Sequence, residues 1–140
     1  MLNGVVAGIK EAIQAEFGDG YEVYTTQVRQ GLKRPCFIVD FVNQIDEHFP
    51  SDRHRMLNTF SVRYIPNNTP GAKLECYDAQ DRLTGALDFI TADGDLLRGV
   101  DIHGQMLDGE LVFIVNYDYN LRHVEEIPLM ETLKIDTAAS

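Results

Sequence analysis

Long apolar runs are missing from this chain. The longest, Leu111 to Val115, has five residues, far short of the ~20 that a helix needs to cross a bilayer, so no membrane segment is expected. Basic clusters are missing as well. The 140 residues carry 12 Lys and Arg against 22 Asp and Glu, a formal net charge of −10. No stretch concentrates positive charge as a phosphate-binding surface would, which disfavours specific nucleic-acid binding. The opening Met1-Leu2-Asn3-Gly4 lacks the basic start and small-residue cleavage pattern of a secretory signal, and the chain is expected to stay in the compartment where it is made. Only Cys36 and Cys76 occur. Two cysteines build no disulfide framework, and buried free thiols are the expectation, although spacing alone does not exclude a bridge.

Catalytic motifs are absent too. There is no G-x-S-x-G, no G-x-x-x-x-G-K-[ST] and no C-x-x-C. His48, His54, His103 and His123 show no helical H-x-x-x-H spacing, so all four read as surface residues rather than metal ligands. Asp93-Gly94-Asp95 resembles a fragment of a calcium loop, but the downstream oxygen donors and closing Glu are missing, and a turn is expected there. Cys36 and Cys76 lie on apolar faces, where a thiol stays protonated and inert. Phe113, Tyr117 and Tyr119 make an aromatic stripe that core packing explains without nucleic acid. No enzyme activity, cofactor or metal is expected.

What the sequence does hold is a folding pattern: 44% of it is hydrophobic and 9% aromatic, enough to build a core. Leu2, Val5, Val6, Ile9, Ile13 and Phe17 recur at helical spacing and stop at Gly18-Asp19-Gly20. Strands are expected over Tyr21 to Val28 and from Pro35 to Val42, the second a central strand covered on both faces. Thr59 to Ile65 alternates, with Phe60, Val62 and Tyr64 on one side. Between these strands Asn43 to Asn58 mixes both signs of charge with turn formers and reads as a long hairpin arm. Thr69-Pro70 reads as the cap and first position of a second helix, whose buried stripe is Cys76, Ala79, Leu83, Ala86, Leu87 and Ile90 and which ends before Asp93-Gly94. Leu97 to Leu107 follows, with Val100, Ile102 and Met106 inward, then a hairpin turn at Asp108-Gly109. The returning strand places Leu111, Phe113, Val115, Tyr117, Tyr119 and Leu121 on one face. Pro128 breaks it, 129–135 is a last short strand or extended tail, and 136–140 is expected to be disordered. The expected fold is α+β: two helices on one face of a mostly antiparallel sheet, in the order α-β-β-β-α-β-β with one optional terminal strand, as a single domain over 1–135.

Against that background Gln30-Gly31-Leu32-Lys33-Arg34-Pro35-Cys36-Phe37-Ile38 resembles the "QGLxxPCFxI" signature of a phage tail terminator family. Asp52-Arg53-His54-Arg55, Arg63-Tyr64-Ile65-Pro66, Leu97-Arg98-Gly99, Asp108-Gly109 and Met130-Glu131-Thr132-Leu133 look like further landmarks of it, so the likeness spans nearly the whole chain. The resemblance implies a structural subunit of phages or phage-like particles of Gram-positive bacteria, made in the host cytoplasm and placed at the head-proximal end of the tail. It implies a homo-oligomeric ring, a hexamer, that caps the tail tube, halts its polymerisation and offers the head-joining surface. Partners would be the tube protein, the sheath protein of contractile tails and a head-completion protein, with DNA passing through the lumen unbound. Six copies at −10 each carry −60, and an acidic lumen repels DNA. The arm is expected to order against a neighbour or the tube. Candidate interface residues are Arg29, Lys33, Arg34, Asp46, Glu47, His48, Phe49, Asp52, Arg53 and Arg55. Rival readings are a head-completion or neck protein, a small ligand-binding domain or hydrolase using the histidines and aspartates of the arm, and a regulatory module bound to one partner chain.

Overall fold

The computed structural model describes residues 1–25 and 31–122. Helix α1 (Leu2–Phe17) is followed by β1 (Glu22–Tyr24), β2 (Cys36–Phe49), a single 3-10 turn at Pro50–Asp52, and β3 (Arg53–Ile65). Helix α2 (Ala72–Ala86), β4 (Phe89–Ala92), β5 (Asp95–Leu107) and β6 (Glu110–Arg122) complete the order. The six strands form one sheet in the order β1-β2-β3-β6-β5-β4. It is mostly antiparallel, with β1 parallel to β2 through Glu22–Tyr24 opposite Cys36–Ile38. The chain forms two compact units, one of Met1–Ile45 with Leu57–Tyr119 and the other of Asp46–Met56 with Asn120–Ser140. No helix among the described residues is long and apolar enough to cross a membrane.

In the first unit the apolar stripe of α1, Val5, Ile9, Ile13 and Phe17, packs with Cys76, Ala79 and Leu83 of α2. The sheet meets them with Phe37, Val39, Phe60, Val62, Tyr64, Phe113, Val115 and Tyr117. The expected layering is therefore present, with the aromatic residues at its centre. Phe37 packs edge-on to Phe17 at 4.7 Å and against Tyr64 at 4.9 Å, arrangements that favour the ring quadrupoles as well as burial. Arg82 joins the helices: it lies 4.1 Å over the Phe17 ring, pairs with the Glu16 carboxylate at 3.1 Å and donates to the Glu16 carbonyl at 2.8 Å. A smaller cluster of Cys36, Ile38 and Ile65 lies apart from the main core, with Tyr24 and Leu32 against it. The two cysteines thus belong to different clusters and are free.

Five expectations need correction. Helix α2 begins at Ala72, not at Pro70: Gly71 is its cap, and Thr69 instead makes a turn whose carbonyl accepts from the Ala72 amide at 3.1 Å. The Asn67 amide and side chain both donate to the Glu75 carboxylate, at 2.8 and 3.1 Å, which fastens that turn to the first turn of the helix. Leu87 and Ile90 are buried but lie beyond the helix, because Phe89–Ala92 is an additional strand whose Ile90 and Ala92 face the core. A three-or-four spacing and a period of two coincide over so short a stretch. Strand β2 is second from the sheet edge, and only Cys36–Val39 is buried on both faces. In β5, Leu97 and Gly99 are the buried positions, while Val100 and Ile102 are half-buried and Met106 is exposed. The register shifts between Val100 and His103, at Asp101, whose φ is 53°, and an inserted bulge residue changes which side chains face inward. Leu121 is likewise exposed, not in the core face of β6.

Two Asp-Gly turns stand as expected. Asp93-Gly94 and Asp108-Gly109 all have positive φ, from 51° to 84°, the left-handed pair that suits the twist of a two-residue hairpin. The strand expected over 21–28 is described only as Glu22–Tyr24, and the segment 129–135 with its tail lies outside the described residues.

Helix α1 comes so close to β4 that a methyl group built on Gly8 would collide with the Thr91 carbonyl oxygen, whereas one on Gly85 of α2 would meet nothing. Replacing Gly by Ala inside a helix ordinarily stabilises it by ~1 kcal/mol. Gly85→Ala should therefore raise stability by up to about that amount, while Gly8→Ala should lower it by about 1–3 kcal/mol through overpacking. Urea unfolding of the two variants measures the opposite signs.

Candidate functional site

The arm expected over Asn43 to Asn58 is a hairpin of two continuous strands closed by a tight turn. Its outermost part, Asp46–Met56, belongs to the second unit. The turn bends through Ser51 and Asp52, with φ of 67° and 58°, a conformation that Asp tolerates better than most residues because its short polar side chain finds local partners. Asp46, Glu47, His48, Phe49, Asp52, Arg53 and Arg55 are all exposed there. Lys33 and Arg34 are exposed in the loop before β2, in the first unit, and Arg29 lies outside the described residues.

The turn gathers four ionisable side chains of the arm. The imidazole rings of His48 and His54 stack at 4.2 Å with 15° between their planes. Asp52 Oδ1 lies 3.3 Å from His48 Nε2 and 3.6 Å from His54 Nε2. On its other side His54 Nδ1 is 2.7 Å from Asp46 Oδ1. That hydrogen bond pushes the His54 imidazole above its ordinary range, with the negative charges of Asp46 and Asp52 adding to it and desolvation opposing. A sequence search for ligand pairs at helical spacing passes over this group, because a hairpin brings together residues across its two strands. Next to it a cavity of about 460 Å³ is lined by Phe49, Arg53, His54, Arg55, Asn120 and Leu121. His103 lies in β5, where its Nδ1 is 3.1 Å from the Asp101 carbonyl. His123 is outside the described residues.

The first unit carries a second kind of feature. Phe41, Val42 and Ile45 of β2 are 46–53% exposed, and at the other side of the sheet Phe89 of β4 and Leu96 and Leu107 of β5 are 48–69% exposed. Among the described residues β1 pairs with β2 only over Cys36–Ile38, and β4 pairs with β5 only over Asp95–Arg98. Apolar side chains standing in water on lightly paired strands are the ordinary mark of a docking surface.

These features define an α+β subunit that offers contact surfaces. A family described as phage tail terminator protein matches residues 4–128, and the chain belongs to that family. Its role is structural, in a phage tail. No curated protein matches the chain. One solved structure without a functional name aligns over 90% of this chain and 99% of its own, at 11% identity and a TM-score of 0.37, a likeness too loose to support any conclusion.

The two thiols remain as potential nucleophiles. Burial pushes Cys36 and Cys76 above the ordinary thiol range, outweighing the nearby Arg34 and Arg63 at Cys36 and a backbone hydrogen bond at Cys76. Both should stay protonated through pH 8 in the folded protein. Alkylation there should run at least about tenfold slower than for a free cysteine and reach full speed only on unfolding. Mass spectrometry of a timed iodoacetamide reaction checks this, and rapid labelling of either residue would contradict it.

Proposed function

We propose that the chain is the ring-forming cap of the tail tube: six copies close on the last tube ring, halt its polymerisation and present the surface that receives the head. The observation that carries this reading is the pair of exposed apolar flanks, Phe41, Val42 and Ile45 on one side and Phe89, Leu96 and Leu107 on the other. A heterologous contact joins two different patches of neighbouring copies, and closure of the ring removes the last open end. Different apolar patches on opposite flanks of one sheet are what such a contact requires.

Charge supports the same reading. A ring of six carries −60 from the −10 of each copy, which keeps passing DNA from sticking to an acidic lumen. Arg29, Lys33, Arg34, Arg53 and Arg55 then meet acidic neighbours, while Asp46, Glu47, His48, Phe49 and Asp52 of the arm meet the tube or an adjacent copy. In a contractile tail the sheath is a further partner, and on the head side the partner is a head-completion protein. Holding an arm in one place costs roughly 1–2 kcal/mol per residue ordered, so docking on the finished tube favours assembly there over assembly in solution.

Particles assembled without this protein should carry overlong tails by electron microscopy, and headless tails of normal length would refute the reading. In complementation, a Val42→Lys, Ile45→Lys double variant should fold with stability within about 1 kcal/mol of the parent, since both sites are exposed. It should nevertheless fail to restore tail length.

A further inference from the structure

We infer that the tip of the arm is a zinc site with His48 Nε2, His54 Nε2 and an Asp52 carboxylate oxygen as its three protein ligands and Asp46 as the group that orients His54. The argument begins at Asp46. Its ionised carboxylate only accepts hydrogen bonds, so the 2.7 Å contact with His54 Nδ1 places the proton of neutral His54 on Nδ1. The lone pair on Nε2 then faces Asp52 Oδ1 at 3.6 Å. Two acceptors pointed at each other repel, and either a second proton on the ring or a metal ion between them removes the repulsion. His48 Nε2 reaches the same Asp52 oxygen at 3.3 Å, so donors from the end of β2, the turn and the start of β3 lie together, and the exposed His48 ring, now stacked on His54, turns about its side-chain bonds to aim its in-plane lone pair at the ion.

The spacing fits a metal. One ligand atom from each of the three residues lies within 4.8 Å of the others. Donors held ~2.0–2.1 Å from a tetrahedral zinc stand roughly 3.3 Å apart, matching the shorter of the two measured separations. The donor set selects among cations: two imidazoles and one carboxylate suit a late first-row divalent ion, whereas calcium and magnesium take all-oxygen shells. A carboxylate on the far nitrogen of a ligating histidine is the usual outer partner of such a metal, fixing tautomer and ring orientation. With three protein donors the fourth position falls to water or to a residue of an adjoining chain. The metal would tie together both strands and the turn of the arm, a cross-link that the apolar contacts of a two-stranded ribbon do not supply.

The test uses the full chain, freed of metal by chelator and dialysed, with zinc chloride as the probe and isothermal titration plus elemental analysis as the readout. One zinc per chain is expected, together with slower amide hydrogen exchange across residues 46–56. Affinity should fall more than about tenfold in His48→Ala and in His54→Ala, and roughly 10–100-fold in Asp46→Asn, whose effect reports ligand orientation. His103→Ala should leave it unchanged. Asp46, His48 and His103 are exposed and His54 is half-buried, and circular dichroism of each variant verifies its fold. Absence of uptake at tenfold zinc excess, or equal uptake by the parent and both histidine variants, would overturn the assignment, the latter marking adventitious binding elsewhere. Neither result bears on tail length, so the cap reading stands or falls separately.

Discussion

Tyr117 carries the constraint on which the first unit turns. It lies on β6, one of the two innermost strands, with its ring fully buried, and a buried phenol must find a partner or lose the hydrogen bond it made to water. It finds one in the Leu87 carbonyl at 2.6 Å, an orphan acceptor where α2 ends. Its own carbonyl accepts from the Asn58 side chain at 2.9 Å, and Asn58 in turn accepts from Gln44 at 2.7 Å. One line of hydrogen bonds thus runs from β2 through β3 and β6 to the end of α2. Burial holds the Tyr117 hydroxyl well above the ordinary phenol range, so it remains a donor at any physiological pH. Asn58, the polar side chain buried with it, fixes the position of β3 beside β6 in a way that apolar packing does not, because amide geometry accepts one register only.

From the end of α2 the consequences spread to the sheet edge. The Gly99 amide donates to the Asp88 carbonyl at 2.7 Å, and a methyl group on Gly99 would come within 2.6 Å of the Leu87 carbonyl. Residue 99 therefore has to be glycine if the helix end is to rest on β5 this closely. That contact directs the chain into β4, which pairs back on Asp95–Arg98 and packs under α1. The short edge strand is thus a result of how α2 stops, not of strand preference alone.

This explains what was legible in the sequence. The stripe of α1, the alternation of Phe60, Val62 and Tyr64, and the two Asp-Gly turns are local signals, each written within about a dozen residues. They predict the layers and the class of the fold. Strand β4 is not local: Ile90 continues the spacing of α2, and only the contact of Gly99 with the helix end shows that the helix has already stopped. The bulge at Asp101 escaped for a related reason, since alternation on one strand contains no record of an extra residue until its partner is in place. The His48, Asp52 and His54 group is the clearest case. Each residue was visible as a charged member of the arm, but which of them meet depends on the register of a hairpin and the left-handed bend at Ser51 and Asp52.

Exposed sheet edges are a hazard that natural proteins restrain, and this sheet restrains both of its flanks in the same limited way. Strand β2 has 14 residues and β5 has 13, yet their outer partners have 3 and 4. Among the described residues each short strand covers only the beginning of its longer neighbour: Phe41, Val42, Ile45 and Leu107 stand exposed beyond the covered stretch, and Phe89 and Leu96 stand exposed within it. Covering the whole length would remove the docking surface, and covering none would invite unlimited edge pairing. The bulge at Asp101 adds a further restraint, because a twisted and interrupted strand pairs poorly with a flat one. A sheet built in this way favours a contact of defined extent between unlike flanks. For the closed ring proposed above, the limit on each contact matters as much as its strength.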